Sequence, residues 1–267
     1  MIFHFPQALW KNRELWWRLT EREVLGRYRG SLLGIAWSFL NPLAMLGVYT
    51  FIFSQVFKVR WGSHEQSGPI GFAINLFAGL IVFNLFSECA IKAPTSILIN
   101  PNYVKKVIFP LEILGAVIVG SAFFHAITSL VVLALFTLIN KQPIQLTWLW
   151  LPVVWLPLLL GCLALSWFLS AVGVFLRDLS QLISVVVSML MFLSPIFFPL
   201  SALPARWQPM LSLNPLANFI EQTRLVLIIG KMPDPTYLLV SIVITACLCE
   251  LSYRVFNKAK RAFADVI

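Results

Sequence analysis

Six apolar runs, at 35–57, 70–89, 113–139, 148–175, 182–200 and 237–255, leave this chain few possible folds. An α-helix rises 1.5 Å per residue, so about 20 apolar residues cross the hydrocarbon core of a bilayer. Within lipid, every backbone N–H and C=O must be satisfied inside the protein, and a helix does this within one segment. The expected fold is therefore all-α and integral to the membrane, with six transmembrane helices in a single domain over 1–267. The composition, 59% apolar and 12% charged, leaves no stretch for a separate soluble domain.

The loops set the orientation. With the amino terminus inside, fourteen of the twenty Lys and Arg fall on the inner side and six on the outer. The positive-inside rule then predicts that both termini and the 92–110 loop are cytoplasmic. The net charge of +9 reflects this bias and does not point to nucleic acid. Residues 1–30, charged and rich in tryptophan, contain no clean apolar core, so no cleavable signal peptide is expected.

Three segments outside the runs carry structure of their own. Residues 1–30 hold an interface helix, with Trp10, Trp17, Val24 and Tyr28 spaced to share one face and with an excess of basic residues, suited to the inner leaflet and its anionic lipids. Arg27 and Arg29, where this segment meets the first run, are candidates to receive a phosphate-bearing lipid headgroup. Between the second and third runs, Asn100 and Pro101 read as a helix start, with the Asn100 side chain as cap. Pro110 ends that helix by excluding Phe109 from it. The resulting 100–109 helix carries Lys105 and Lys106 beside Tyr103, Val107, Ile108 and Phe109, a combination suited to docking or to lying on headgroups. Between the fifth and sixth runs, Pro195, Pro199, Pro204 and Pro209 interrupt any helix in a stretch too apolar for a solvated loop. Asn214 and Pro215 then start another helix bearing Glu221 and Arg224. The region is expected to form a broken, partly re-entrant hairpin, with Pro204, Trp207, Asn214, Pro215, Glu221 and Arg224 over 203–229.

Ionisable residues within the runs are few. Glu88 and Lys92 are spaced to pair on one helix face, whereas His125 stands alone in the third run and reads as a hydrogen-bonded core residue. No chain of carboxylates could relay protons. The four cysteines fall in apolar runs, suggesting neither disulfides nor a metal site. No phosphate-binding loop, zinc helix or nucleophile elbow is found, so no catalytic residue, cofactor or metal is assigned to the chain. Aromatic side chains are frequent, and Tyr49, Phe53, Phe83, Phe86 and Phe192 could line a path for sugar rings or simply pack.

Six stretches, YRGSLLGIAWSFLNPL (28–43), LINPNYVKKVIFPLEIL (98–114), FLRDLSQLI (175–183), SPIFFPLSALP (194–204), LNPLANFIEQTR (213–224) and FADVI (263–267), resemble the membrane subunit of bacterial polysaccharide-export ABC transporters. The resemblance is to the type-2 exporter permeases, nearest the lipopolysaccharide O-antigen branch, and runs in order along nearly the whole chain. Gly115 departs from it, standing where that branch has proline. The resemblance implies a homodimer in the bacterial inner membrane, joined by two copies of a cytoplasmic ATPase subunit that binds ATP and Mg. It implies export of an undecaprenyl-pyrophosphate-linked polysaccharide, a coupling helix at Asn100, Pro101, Tyr103, Lys105, Lys106 and Phe109, a periplasmic gate at 203–229 and an aromatic-lined channel. A capsule or teichoic-acid exporter, an integral-membrane glycan polymerase or ligase, and an ion-coupled transporter remain open alternatives.

Overall fold

A computed structural model describes residues 4–52, 69–105, 109–198, 206 and 214–266. Among them the chain is helical, with no strand. The helices are α1 (Phe5–Lys11), α2 (Arg13–Arg27), α3 (Trp37–Phe51), α4 (Pro69–Lys92), α5 (Pro101–Lys105), α6 (Glu112–Ile139), α7 (Leu151–Phe175), α8 (Leu179–Leu193), α9 (Pro215–Arg224), α10 (Pro235–Ala259) and α11 (Phe263–Val266). Among the described residues, five helical stretches are long and apolar enough to cross a bilayer: Gly34–Phe51, Ile70–Thr95, Glu112–Ile139, Leu146–Phe175 and Pro235–Val266. The fifth predicted run contributes only α8, of 15 residues. Ser194, preceding a proline, takes extended backbone (φ −101°, ψ 148°) and ends α8 short of the predicted boundary at 200.

α4 is the hub. It is apolar around its whole circumference, and such a helix has to be enclosed. α3, α6, α7, α8 and α9 pack against it, burying Phe72, Leu76, Ile81 and Leu85 to 2% exposure or less. The outer helices leave Leu135, Leu149, Leu239 and Leu251 at least half exposed, as lipid-facing residues are. A second core gathers both ends of the chain, with Phe5, Trp167, Phe256 and Phe263 in one cluster. Glu250 accepts from the backbone N–H groups of His4 and Phe5, which fastens α1 to α10. Trp167 donates to the Glu112 carbonyl at 2.7 Å. A Cβ on Gly115 would come within 2.8 Å of the Trp167 ring, so the residue that departs from the expected proline makes room for the indole.

α2 packs along the first half of α6. Trp16 donates to the Ala116 carbonyl at 2.9 Å, Leu19 meets Ile113 and Val117, and Gly120 lets the Thr20 side chain approach. The single face predicted for Trp10, Trp17, Val24 and Tyr28 is divided: Trp10 and Trp17 are exposed, while Val24 is buried and Tyr28 partly so. Trp17 and Val24 share the uninterrupted helix α2, so the division reflects what α2 packs on: its Trp16–Leu19 side lies against α6, which leaves Trp17 outside that contact.

α5 begins at Pro101, as the sequence indicates, but Asn100 does not turn its side chain forward as a cap. Its amide donates back to the Ser96 carbonyl at 2.9 Å. Lys105 is exposed, whereas Tyr103 stacks on Phe109 with ring centres 4.3 Å apart, and both pack against the second core. Lys106, Val107 and Ile108 lie outside the described residues, as do Phe53, Pro204 and Trp207.

The tightest helix contact is between α7 and the turn after α4. A Cβ on Gly173 would sit on the Pro94 carbonyl oxygen, and Ser170 bridges Ser96 (2.8 Å) and the Ala93 carbonyl (3.0 Å) alongside. Gly173→Ala is expected to lower stability by about 1–3 kcal/mol in detergent unfolding. Gly161→Ala, whose new Cβ would meet its nearest neighbour at 3.7 Å, should change it by less than about 0.5 kcal/mol.

Candidate functional site

Long side chains join α2 to α4, and each of the two helices presents a glutamate four residues before a base. Glu23 and Arg27 lie on α2, and Glu88 and Lys92 on α4. Each order suits the i,i+4 pairing of its own helix, and the reach of the side chains between the helices brings the four groups into one network. Arg27 reaches Glu88 at 3.2 Å, Lys92 reaches Glu23 at 3.0 Å, and Glu88 and Lys92 pair at 2.9 Å. His125, from α6, joins at 2.9 Å through Nδ1 to the second oxygen of Glu88. An ionised carboxylate only accepts, so Nδ1 donates to Glu88, and Nε2 lies 3.3 Å from the Tyr28 hydroxyl. The Glu88 and His125 side chains are 16% and 17% exposed.

The network forms one wall of a cavity of about 500 Å³. Tyr49, Phe77, Leu80 and Met191 form an apolar wall, while Asn41, Asn84 and Ser129 add neutral polar groups. The space is thus amphipathic, charged at one side and oily at the other. Sequence reasoning found the Glu88–Lys92 pair but left His125 alone and Glu23 unassigned. The signal for Glu23 was present in its i,i+4 spacing to Arg27; the meeting of His125 with Glu88 depends on helix packing. Arg27, predicted as a headgroup contact, is held by Glu88, and Arg29 lies exposed beyond the end of α2.

The predicted aromatic residues are not gathered into one strip among the described residues. Tyr49 lines the cavity. Phe83, at 4% exposure, lies in the packed core around α4, because that helix is enclosed and the ring has no free surface. Phe86 is partly buried against the same core. Phe192 is 70% exposed and stacks on Phe197 with centres 6.0 Å apart. Phe77, which the sequence did not single out, joins Tyr49 at the cavity.

The helix after the broken segment is anchored by its arginine. Asn214 caps α9 by accepting from the Leu216 N–H, with Pro215 in the first turn. Arg224, predicted near a hairpin mouth, is 2% exposed. Its Nε donates to the Asn75 carbonyl at 3.0 Å, Nη1 to the Pro195 carbonyl and to Glu221, and Nη2 to the Ile196 carbonyl at 2.9 Å. One guanidinium therefore satisfies carbonyls that Pro195 leaves outside any helix and ties them to α4 and α9. Gly79 opens the space, since a Cβ there would come within 2.8 Å of Nη2. Arg224→Met removes the guanidinium's hydrogen bonds to these carbonyls and is expected to destabilise the protein by about 3–5 kcal/mol in detergent unfolding. An unchanged midpoint would show that the carbonyls need no such partner.

Similarity to known proteins covers the same regions. A family model described as ABC-2 type transporter matches residues 14–228, from the start of α2 through the helix after Arg224. An O-antigen export system permease protein RfbA from Myxococcus xanthus is 29% identical over 271 aligned residues, covering all of both chains. A protein of the same name from Klebsiella pneumoniae is 24% identical over 93% of each. The polysialic acid transport protein KpsM of Escherichia coli is 25% identical over 80% of this chain and 81% of its own. The family match spans nearly all of α2, the α4 hub with its charged cavity and the Arg224 anchor, and the chain belongs to the ABC-2 type transporter family.

Proposed function

We propose that this chain is the membrane subunit of an ATP-driven exporter of lipid-linked polysaccharide, specifically of undecaprenyl-pyrophosphate-linked O-antigen. The observation that carries the proposal is family membership together with full-length similarity to an O-antigen export permease. Similarity to a polysialic acid transporter favours a capsule exporter as the second reading.

Two copies of the chain form the conducting unit in the bacterial inner membrane, each with six spans and both termini in the cytoplasm. Two copies of a cytoplasmic ATPase subunit bind ATP and Mg, while this chain carries no catalytic group. The 100–109 helix is the coupling element, with Tyr103 and Phe109 seated on the core of the chain and Lys105 facing outward. Force applied to such a seated helix reaches Phe256 and Phe263 directly, because all four rings belong to one cluster. The movement separates the two permease copies, the glycan advances past aromatic side chains, and the 203–229 hairpin opens on the periplasmic side.

The test is co-expression with the ATPase encoded beside this chain. A stable complex is expected, and the double variant Lys105→Glu, Lys106→Glu should retain ATP hydrolysis while export falls at least about tenfold, roughly 1.4 kcal/mol of coupling. Normal export by the variant would remove these lysines from coupling, and failure to associate with any ATPase would overturn the exporter reading.

A further inference from the structure

Three donors converge on the single carboxylate of Glu88: Arg27 from the last turn of α2, Lys92 from the same helix and His125 from α6. Convergent guanidinium, ammonium and imidazole donors around one point are the arrangement that binds phosphate oxygens, and here a side chain of the protein occupies that point. The convergence takes place on the wall of the cavity and is accessible from it, since all four side chains line the same space. The same space is also lined by Met45, Tyr49, Phe77, Leu80 and Met191, and along α4 Phe77 and Leu80 precede Glu88 by about two to three turns. A site with a phosphate-like cradle at one side and an oily wall at the other fits an amphipathic phosphate ester better than a free sugar.

The cradle is also able to open. The Arg27 side chain is 49% exposed and belongs to the last residue of α2. The chain beyond it passes through Gly30 and Gly34 at φ 83° and 51°, backbone states that favour glycine and leave this connection to α3 free of side-chain packing on either Cβ position. Glu88, by contrast, is fixed in the interior of α4. Loss of the Arg27–Glu88 contact can therefore move the end of α2 without disturbing the hub.

We propose that Glu88 is a built-in placeholder for a lipid phosphate. The phosphate or pyrophosphate of an incoming lipid takes over Arg27 and Lys92 from Glu88, its chain lies against Tyr49, Phe77 and Met191, and the end of α2 is released from α4. This deepens the exporter proposal by giving the lipid headgroup a defined seat, and it rests on the reading that the transported glycan is carried on a phosphorylated lipid. Glu88 keeps the cations ordered while the site is empty and sets a threshold that only a better anion passes.

The test uses the full chain in detergent without an ATPase and measures calorimetric binding of three probes. They are farnesyl pyrophosphate, farnesol, which has the same chain without phosphate, and inorganic pyrophosphate. Farnesyl pyrophosphate is expected to bind saturably and to raise amide hydrogen exchange over 24–31, with farnesol and inorganic pyrophosphate at least about tenfold weaker. Glu88→Gln keeps shape and size but removes the competing charge, and is expected to tighten farnesyl pyrophosphate about tenfold. Arg27→Gln should weaken it by a similar factor. Weaker or equal binding by Glu88→Gln, with unfolding like that of the parent protein, would overturn the placeholder role. Lys92→Gln provides a second test of the cradle, and unchanged affinity there would also count against it. Equal binding of farnesol would show that no phosphate is recognised, and equal binding of inorganic pyrophosphate would make the ligand a free anion. All of these results are independent of ATPase association, so the placeholder and the exporter proposals can fail separately.

Discussion

A bilayer offers no hydrogen-bond partners, so each polar group carried into this bundle has to find one within the protein. Two places depend on this most. The carbonyls freed where Pro195 interrupts the chain are gathered by Arg224, and the carboxylate of Glu88 is surrounded by Arg27, Lys92 and His125. Both sites attach to α4, which is packed against five other helices. The hub supplies a fixed frame, and the charged residues at its two ends connect that frame to segments that do not span the membrane. Toward one end the connection is to α9, and toward the other it is to α2.

The two connections differ in kind. Arg224 is almost fully buried and its partners are mainly backbone carbonyls, so it behaves as a permanent brace. The Glu88 network is partly exposed, its partners are long side chains, and it opens onto a cavity. Such pairs contribute little net stability and are exchanged readily for other ions. The chain thus keeps the segment broken at Pro195 braced, while the last turn of α2, whose body packs on α6, reaches α4 through side chains at the cavity. α5, seated through Tyr103 on the cluster that joins both termini and with Phe109 stacked on that ring, gives a third connection to the packed core.

Much of the fold was legible because its constraint is one of length and polarity. The apolar stretches around 113–139 and 148–175 are long enough that no other arrangement satisfies them, and Asn214–Pro215 announces α9 with its capping chemistry. Facing directions were not legible. Phe83 sits on a helix apolar on every side, so nothing in its neighbours says that it packs inward. The spacing from Trp17 to Val24 suggested one continuous face, but Val24 is buried and Trp17 is not, a difference set by what packs on α2 and not by its periodicity. His125 has no charged neighbour in sequence, and its partner Glu88 lies on another helix 37 residues away. Arg224 was expected in the broken hairpin, but its burial was not legible, because the carbonyls of Pro195 and Ile196 that it pairs with come within its reach only once the chain is folded.

The most direct test is transport itself. The chain and its neighbouring ATPase would be reconstituted into vesicles loaded from outside with fluorescently labelled lipid-linked polysaccharide, and the protected fraction followed with time. Protection of the glycan in the vesicle lumen that requires hydrolysable ATP and stops with a non-hydrolysable analogue is the expected result. Flux that persists without ATP and follows an ion gradient, or extension of the glycan by this chain alone, would contradict the assignment of an ATP-driven export permease.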